Sequence, residues 1–216
     1  LEAVARFQNT LHIENPTSGL TNALEVSFER QIVRGANSGA PLTPRQGGQL
    51  VVKEHEPFLI RFTNRGAASI YVTLLGFSAD WEIAKLYPEL KNDFPPLAPG
   101  QSHVLSFDEG NLMTELPYAA NEATDFYKFF VTSQPTDFSV LTQAGERDTP
   151  PADLDQQSPL QRLLWQAGAL PSRKVSMPSL RQPADDWATL TVGLTVQRDA
   201  AAGLPATTLA VGDTSA

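Results

Sequence analysis

FLIRFTNRGAASIYVTLLGFSADWEIAKLYP, residues Phe58 to Pro88, is the stretch whose reading decides the fold. Phe58, Ile60 and Phe62 point one way and Arg61 and Thr63 the other. A period of two sets one face against a core and leaves the other wet. Asn64-Arg65-Gly66 breaks the run, with a glycine able to take the positive φ that a tight turn often needs. Ile70, Val72 and Leu74 form the next apolar face. Ser78-Ala79-Asp80 makes a second break, and Trp81 to Tyr87 resumes alternation until Pro88 stops it. The stretch predicts three antiparallel strands in a meander.

Further strands extend outward from this centre. Leu24, Val26 and Phe28 alternate with Glu25, Ser27 and Glu29, and Gln49 to Lys53 is a short strand before the Glu54-His55-Glu56-Pro57 corner. Downstream, Pro99-Gly100 is strong turn chemistry, with proline presetting φ and glycine supplying the left-handed position. His103, Leu105 and Phe107 alternate after it. In Phe126 to Ser133, Tyr127, Phe129 and Val131 lie on one face and Phe126, Lys128, Phe130 and Thr132 on the other. Aromatics on both faces predict a central strand covered on both sides, with the edge of a cleft as the less favoured alternative. The last strand spans Thr189 to Val196, with Leu190, Val192, Leu194 and Val196 inward. At the other end, Val4, Phe7, Leu11 and Ile13 suggest only a frayed strand. About seven or eight short strands with turn punctuation predict an all-β antiparallel sandwich.

Two irregular regions decorate it. Arg34 to Gly48 is a Gly- and Pro-rich loop. Ala144 to Pro183 is an insertion expected to carry one helix, Pro159 to Ala167, with Ser158 as N-cap and Gly168 as stop. The expected organisation is one domain over residues 1–198 and a disordered tail or linker over 199–216.

Composition narrows the function classes. The 216 residues include no cysteine, which excludes disulfides, thiolate metal sites and a cysteine nucleophile within this chain. The absence also favours the cytoplasm. A net charge of −8, from 16 basic and 24 acidic residues, repels phosphate backbones and argues against nucleic acid. No run of ~18 apolar residues is available to cross a membrane as a helix. The chain starts at Leu1 rather than Met, as expected of a fragment or processed product.

Candidate chemistry is thin. His12, His55 and His103 share no metal-ligand spacing, so no metal or other cofactor is expected. Ser78 and Asp80 sit in a turn, where both are ordinary. Paired carboxylates for hydrolysis could be drawn from Asp80, Glu82, Asp108, Glu109, Glu115, Asp125, Asp185 and Asp186, although a solvated acidic surface explains them more simply. Tyr71, Trp81, Tyr87, Tyr118, Trp165 and Trp187 could make a platform for carbohydrate or another ligand, but large aromatics are more often core.

The framework itself resembles a known module. Ile60-Arg61-Phe62-Thr63-Asn64, Ile70 to Phe77, the Leu86-Tyr87-Pro88 corner, Leu97-Ala98-Pro99-Gly100 and Asp125 to Phe138 carry the likeness. Together they resemble the β-sandwich that follows the peptidase domain in caspase-like (metacaspase-type) proteins. The resemblance implies a non-catalytic accessory domain whose peptidase His and Cys lie upstream, outside this chain. Its partner would be that peptidase domain in cis, or another protein. No catalytic, cofactor or metal residue transfers with it. Leu163, Leu164 and Trp165 on the expected helix are the candidate partner-binding residues, with capping of the sandwich as the plainer role.

Overall fold

The fold is an all-β sandwich, seen in a computed structural model that describes residues 2–33, 35–44, 48–89, 93–107, 114–116, 120–142, 160 and 186–198. A helix α1 (Glu2–Leu11) comes first. Ten strands follow among the described residues: β1 (Leu24–Arg30), β2 (Ala40–Pro41), β3 (Leu50–Lys53), β4 (Phe58–Asn64), β5 (Ile70–Phe77), β6 (Ile83–Tyr87), β7 (Pro96–Leu97), β8 (Ser102–Phe107), β9 (Glu122–Thr132) and β10 (Trp187–Gln197). One sheet runs β2-β1-β4-β8; the other runs β3-β10-β9-β5-β6, with β7 also on β5. Nearly every pairing is antiparallel, but β3 lies parallel to β10, so the larger sheet is mixed.

Aromatic side chains fill the space between the sheets. Phe58 stacks on Phe107 at 4.3 Å, and Phe62 meets Phe129 edge-on at 5.8 Å. Phe28 reaches Tyr127 at 5.4 Å. Phe58, Phe62 and Phe129 are fully buried, each worth about 1.5–3 kcal/mol of transfer free energy. Alternation in β1, β4, β5 and β9 delivers these residues to one interior.

The expected three-strand meander does not form, because β4 lies between β1 and β8 in the smaller sheet while β5 and β6 pair in the larger one, so the β4–β5 connection crosses between the sheets. Two details of the stretch also depart from its sequence reading. Alternation resumes at Ile83, because Trp81 sits in the β5–β6 turn at φ 71° with its side chain 42% exposed. Trp81 N–H donates to the Ser78 carbonyl at 3.0 Å, and Ser78 N–H donates to Glu82 O at 3.2 Å. The β4–β5 turn does not use Gly66 at positive φ. Instead the buried Asn64 amide donates to Ala68 O and Leu97 O, each at 2.8 Å, while its Oδ1 accepts from Gly66 N–H. Gly100 does take φ 75°, as the Pro99-Gly100 pair predicts. A bulge between Leu74 and Leu75 opposes an extra residue, Leu86, in β6. Gly76 leaves room for it, since a Cβ there would meet Leu86 Cδ1 at 2.8 Å.

A second apolar cluster lies on the outer face of the larger sheet: Phe7, Ile13, Leu75, Phe77, Ile83, Phe130, Phe138, Leu141 and Leu160. Here the frayed-strand reading of the N-terminus is corrected. Val4, Phe7 and Leu11 are spaced by three and four, which is one face of a helix. Phe7 lies on Phe77 at 5.1 Å. β9 is accordingly covered on both sides, with Phe129 inward and Phe130 outward. Leu160, within the expected insertion helix, is helical and 1% exposed in this outer cluster. The tail 199–216 lies outside the described residues.

Candidate functional site

The titratable side chains are spent mainly on bracing the sandwich. Arg61 Nε donates to Glu29 at 2.7 Å and its Nη2 to Asn37 O at 2.8 Å, tying β4 to β1 and the β1–β2 loop. Arg198 Nε donates to Glu54 Oε2 at 2.8 Å, and Leu116 N–H donates to Glu54 Oε1. The Arg198 guanidinium, followed by that N–H, lowers the Glu54 carboxyl to about 2. Asp186 accepts from Ser18 and Gly19, fixing the segment after α1 to the start of β10.

The histidines are not brought together. His12 follows α1 directly, and its ring Nδ1 bonds Gln8 O at 2.7 Å. His55 takes φ 61° in the β3–β4 corner. His103 packs beside Tyr87, with ring centroids 4.4 Å apart, where β8 faces β6. Burial lowers the His103 pKa against an opposing pull from Glu89, and burial, with the Asp93 charge, raises Tyr87. No group of three or more His, Asp or Glu among the described residues could hold a metal ion.

Of the candidate carboxylates, Asp80 and Asp125 are the two that sense each other. Burial raises Asp125 to about 6; Ala79 N–H lowers it and the Asp80 charge raises it. Asp80 is lowered by the Ser78 hydroxyl, which donates to it at 2.7 Å. Burial of Tyr127, with Asp125 two residues away, raises its phenol. Asp108, Glu109 and Asp185 lie outside the described residues, as do Tyr118 and the candidate partner-binding residues Leu163, Leu164 and Trp165. The described aromatics do not share one platform. Tyr87 faces the core against Phe62, Trp81 leans on Phe7 at 5.2 Å, and Tyr71 and Trp187 stand on the larger sheet's outer face on either side of Thr132.

The remaining feature is a strand edge. β9 pairs with all of β10, but β3 pairs only with Leu194 to Gln197. Ser133 N–H donates to Asp186 O, and Arg198 N–H donates to Asn121 O. Even-numbered residues of β10 therefore turn their backbone groups to β9 and odd-numbered ones turn them away. Trp187 O accepts from the Asn15 amide at 2.8 Å. Beyond it, among the described residues, no strand pairs with the outward edge at Thr189, Thr191 and Gly193. This edge, Thr189-Leu190-Thr191-Val192-Gly193, carries no charge or proline, and Leu190 is 37% exposed. Folded proteins ordinarily block such edges with lysine, proline, a bulge or a covering element. The β6 edge has its bulge and Lys85, and β2 has Pro41. Sequence reading placed β10 but not its half-open edge, because the extent of β3 pairing is a tertiary fact.

No protein-family model matches the chain, and no curated protein matches it either. Among the described residues, no helix is long and apolar enough to cross a membrane.

Proposed function

We propose that this chain is a non-catalytic accessory β-sandwich that docks on protein, its partner being a caspase-like cysteine peptidase domain in cis or a protein recruited to it, in the cytoplasm. The observation that carries the docking reading is the uncharged, half-open edge of β10. Strand addition there supplies backbone hydrogen bonds to Thr189, Thr191 and Gly193 while exposed Leu190 offers apolar contact. The identity of the partner rests on the framework resemblance quoted above. Glu29, Glu54 and Asp186 are already committed to internal pairs, which fits a binding role better than catalysis.

The coding sequence upstream provides the first test. It should contain an α/β caspase-like pattern with its His and Cys, and their absence would remove the peptidase assignment. The second test mixes that upstream domain with this chain, intact or lacking 144–183, in a pull-down. Capture by both forms places docking on the sandwich, capture by the intact form alone moves it to the insertion, and capture by neither refutes docking on that domain.

A further inference from the structure

We propose that α1 is an independently opening arm: residues 2–15 leave the outer face of the larger sheet without unfolding the sandwich, and protonation of Lys128 favours the open form. The inference does not depend on the docking role of the β10 edge, although the arm ends beside it: Asn15 donates to Trp187 O at 2.8 Å and Thr189 Oγ1 donates to Ile13 O at 3.3 Å. It rests on how imperfectly α1 is seated. Phe7 is a sound apolar anchor, packed edge-on against Phe77 and Trp81. Ile13 and Leu11 join it in the outer apolar cluster, but polar groups are buried among them. Thr10 is fully buried and its hydroxyl has no hydrogen-bond partner among the described residues. Arg6 sends Nη2 to the Val140 carbonyl, but its buried Nε has none among them either, and burial lowers its pKa. Buried polar groups without partners weaken an interface.

Lys128 adds a buried charge to the seat. It rises from the centre of β9 with no exposed surface, in a row with Leu75 of β5 and Thr191 of β10. Its ammonium donates to the carbonyl of Leu11, the last residue of α1, at 2.9 Å and to Thr191 Oγ1 at 3.2 Å. The Phe130 ring centroid is 5.7 Å away. A cation at a helix C-terminus suits the helix dipole, and α1 has no basic residue in its own last turn. Among the described residues the charged groups around it are few. Glu14, just past α1, favours the ammonium, and Arg6 on α1 is directed to Val140; β5 and β10 present Leu75 and Thr191. Burial outweighs these contacts and lowers the lysine from 10.5 to about 8.

With the arm lifted, Lys128 is wetted and returns toward its ordinary value, so the open form binds more protons. Closing is therefore weakest below pH 8 and strengthens as pH rises from 8 to 10.5, above which both forms become neutral. Between pH 7 and pH 9 the opening equilibrium should fall about tenfold. Opening removes Phe7 from Phe77 and Leu11 O from Lys128, and so wets that part of the outer face, while Phe130 keeps its cover from Phe138 at 4.4 Å.

Amide hydrogen exchange on the full chain tests this, with protection factors corrected for intrinsic rates at pH 7 and pH 9. Amides near the end of α1 should be far less protected than those of β4 at pH 7, and should gain about tenfold by pH 9. Lys128→Met keeps the stem and removes the charge, and in it the α1 protection should no longer change with pH. Exchange of α1 and β4 as one unit would overturn the arm. A wild-type pH response that persists in Lys128→Met would overturn the role of the lysine.

Discussion

Replacing Asp125 by Asn removes a carboxyl that the fold holds in an unfavourable state at neutral pH. Burial raises its pKa from 3.8 to about 6. Each pKa unit corresponds to about 1.4 kcal/mol, so the full shift would amount to about 3 kcal/mol. Asp125 is only partly buried, and screening by water reduces this to about 1–2 kcal/mol. The folded chain keeps this proton up to about pH 6, whereas the unfolded chain releases it near 3.8. Across that window the folded state binds more protons, so stability falls as pH rises and stays lowered at pH 7. Asn stays neutral throughout, and its Oδ1 can still accept from Ala79 N–H. Urea titrations of both proteins at pH 7 and pH 4, followed by tryptophan fluorescence, measure the difference. Asp125→Asn should be more stable at pH 7 by about 1–2 kcal/mol, and the gain should shrink toward zero at pH 4. In melting experiments this is a rise of about 2–8 °C at pH 7. A variant less stable at pH 7, or a gain equal at the two pH values, would refute the reasoning.

Phe129→Ala opens a cavity between the sheets where Phe62 and Phe129 meet, and chemical denaturation should show a loss of about 3–5 kcal/mol. Ile32→Ser, at a side chain 74% exposed, should change stability by less than about 0.5 kcal/mol in the same assay. For Glu54, a pKa lowered to about 2 means that its pair with Arg198 stabilises the fold above about pH 4.5 and is lost as pH falls toward 2. Acid unfolding of Glu54→Gln should therefore differ from wild type most above pH 4.5 and converge with it in strong acid. Gly39→Ala should shift or detach β2, because its Cβ would run into the Arg30 backbone carbonyl; NMR shifts confined to residues 28–42 would report it.

The sandwich was legible wherever burial is one-sided, because a period of two then writes the inner face directly into the sequence. Phe58, Ile60 and Phe62 were assigned this way, and Phe129 and Phe130 revealed a strand covered on both faces. Reading failed where that contrast was missing or masked. Val4, Phe7 and Leu11 carry a helical stripe too short to stand out beside buried Thr10 and half-buried Arg6. Trp81 looked like a strand residue by hydrophobicity, yet it occupies a left-handed turn position that propensity alone would assign to glycine or asparagine. The break after β4 was placed correctly but read as a hairpin turn, whereas it carries the chain from one sheet to the other and Asn64 rather than Gly66 holds it. The candidate edge could not have been found from composition. It arises because β3 is four residues long and pairs in parallel with only the last part of an eleven-residue strand.

The most direct test is residue-resolved amide exchange along β10, first on the chain alone and then with the proposed partner, a caspase-like peptidase domain, added. Alone, Leu190 and Val192 should be protected by β9 while Thr189 and Thr191 exchange quickly. Addition of the peptidase domain should slow Thr189 and Thr191, and Thr189→Pro, which blocks the outward edge without removing a bond to β9, should weaken the complex. Protection of Thr189 and Thr191 in the chain alone, or the same rates with and without the peptidase domain, would contradict docking at this edge.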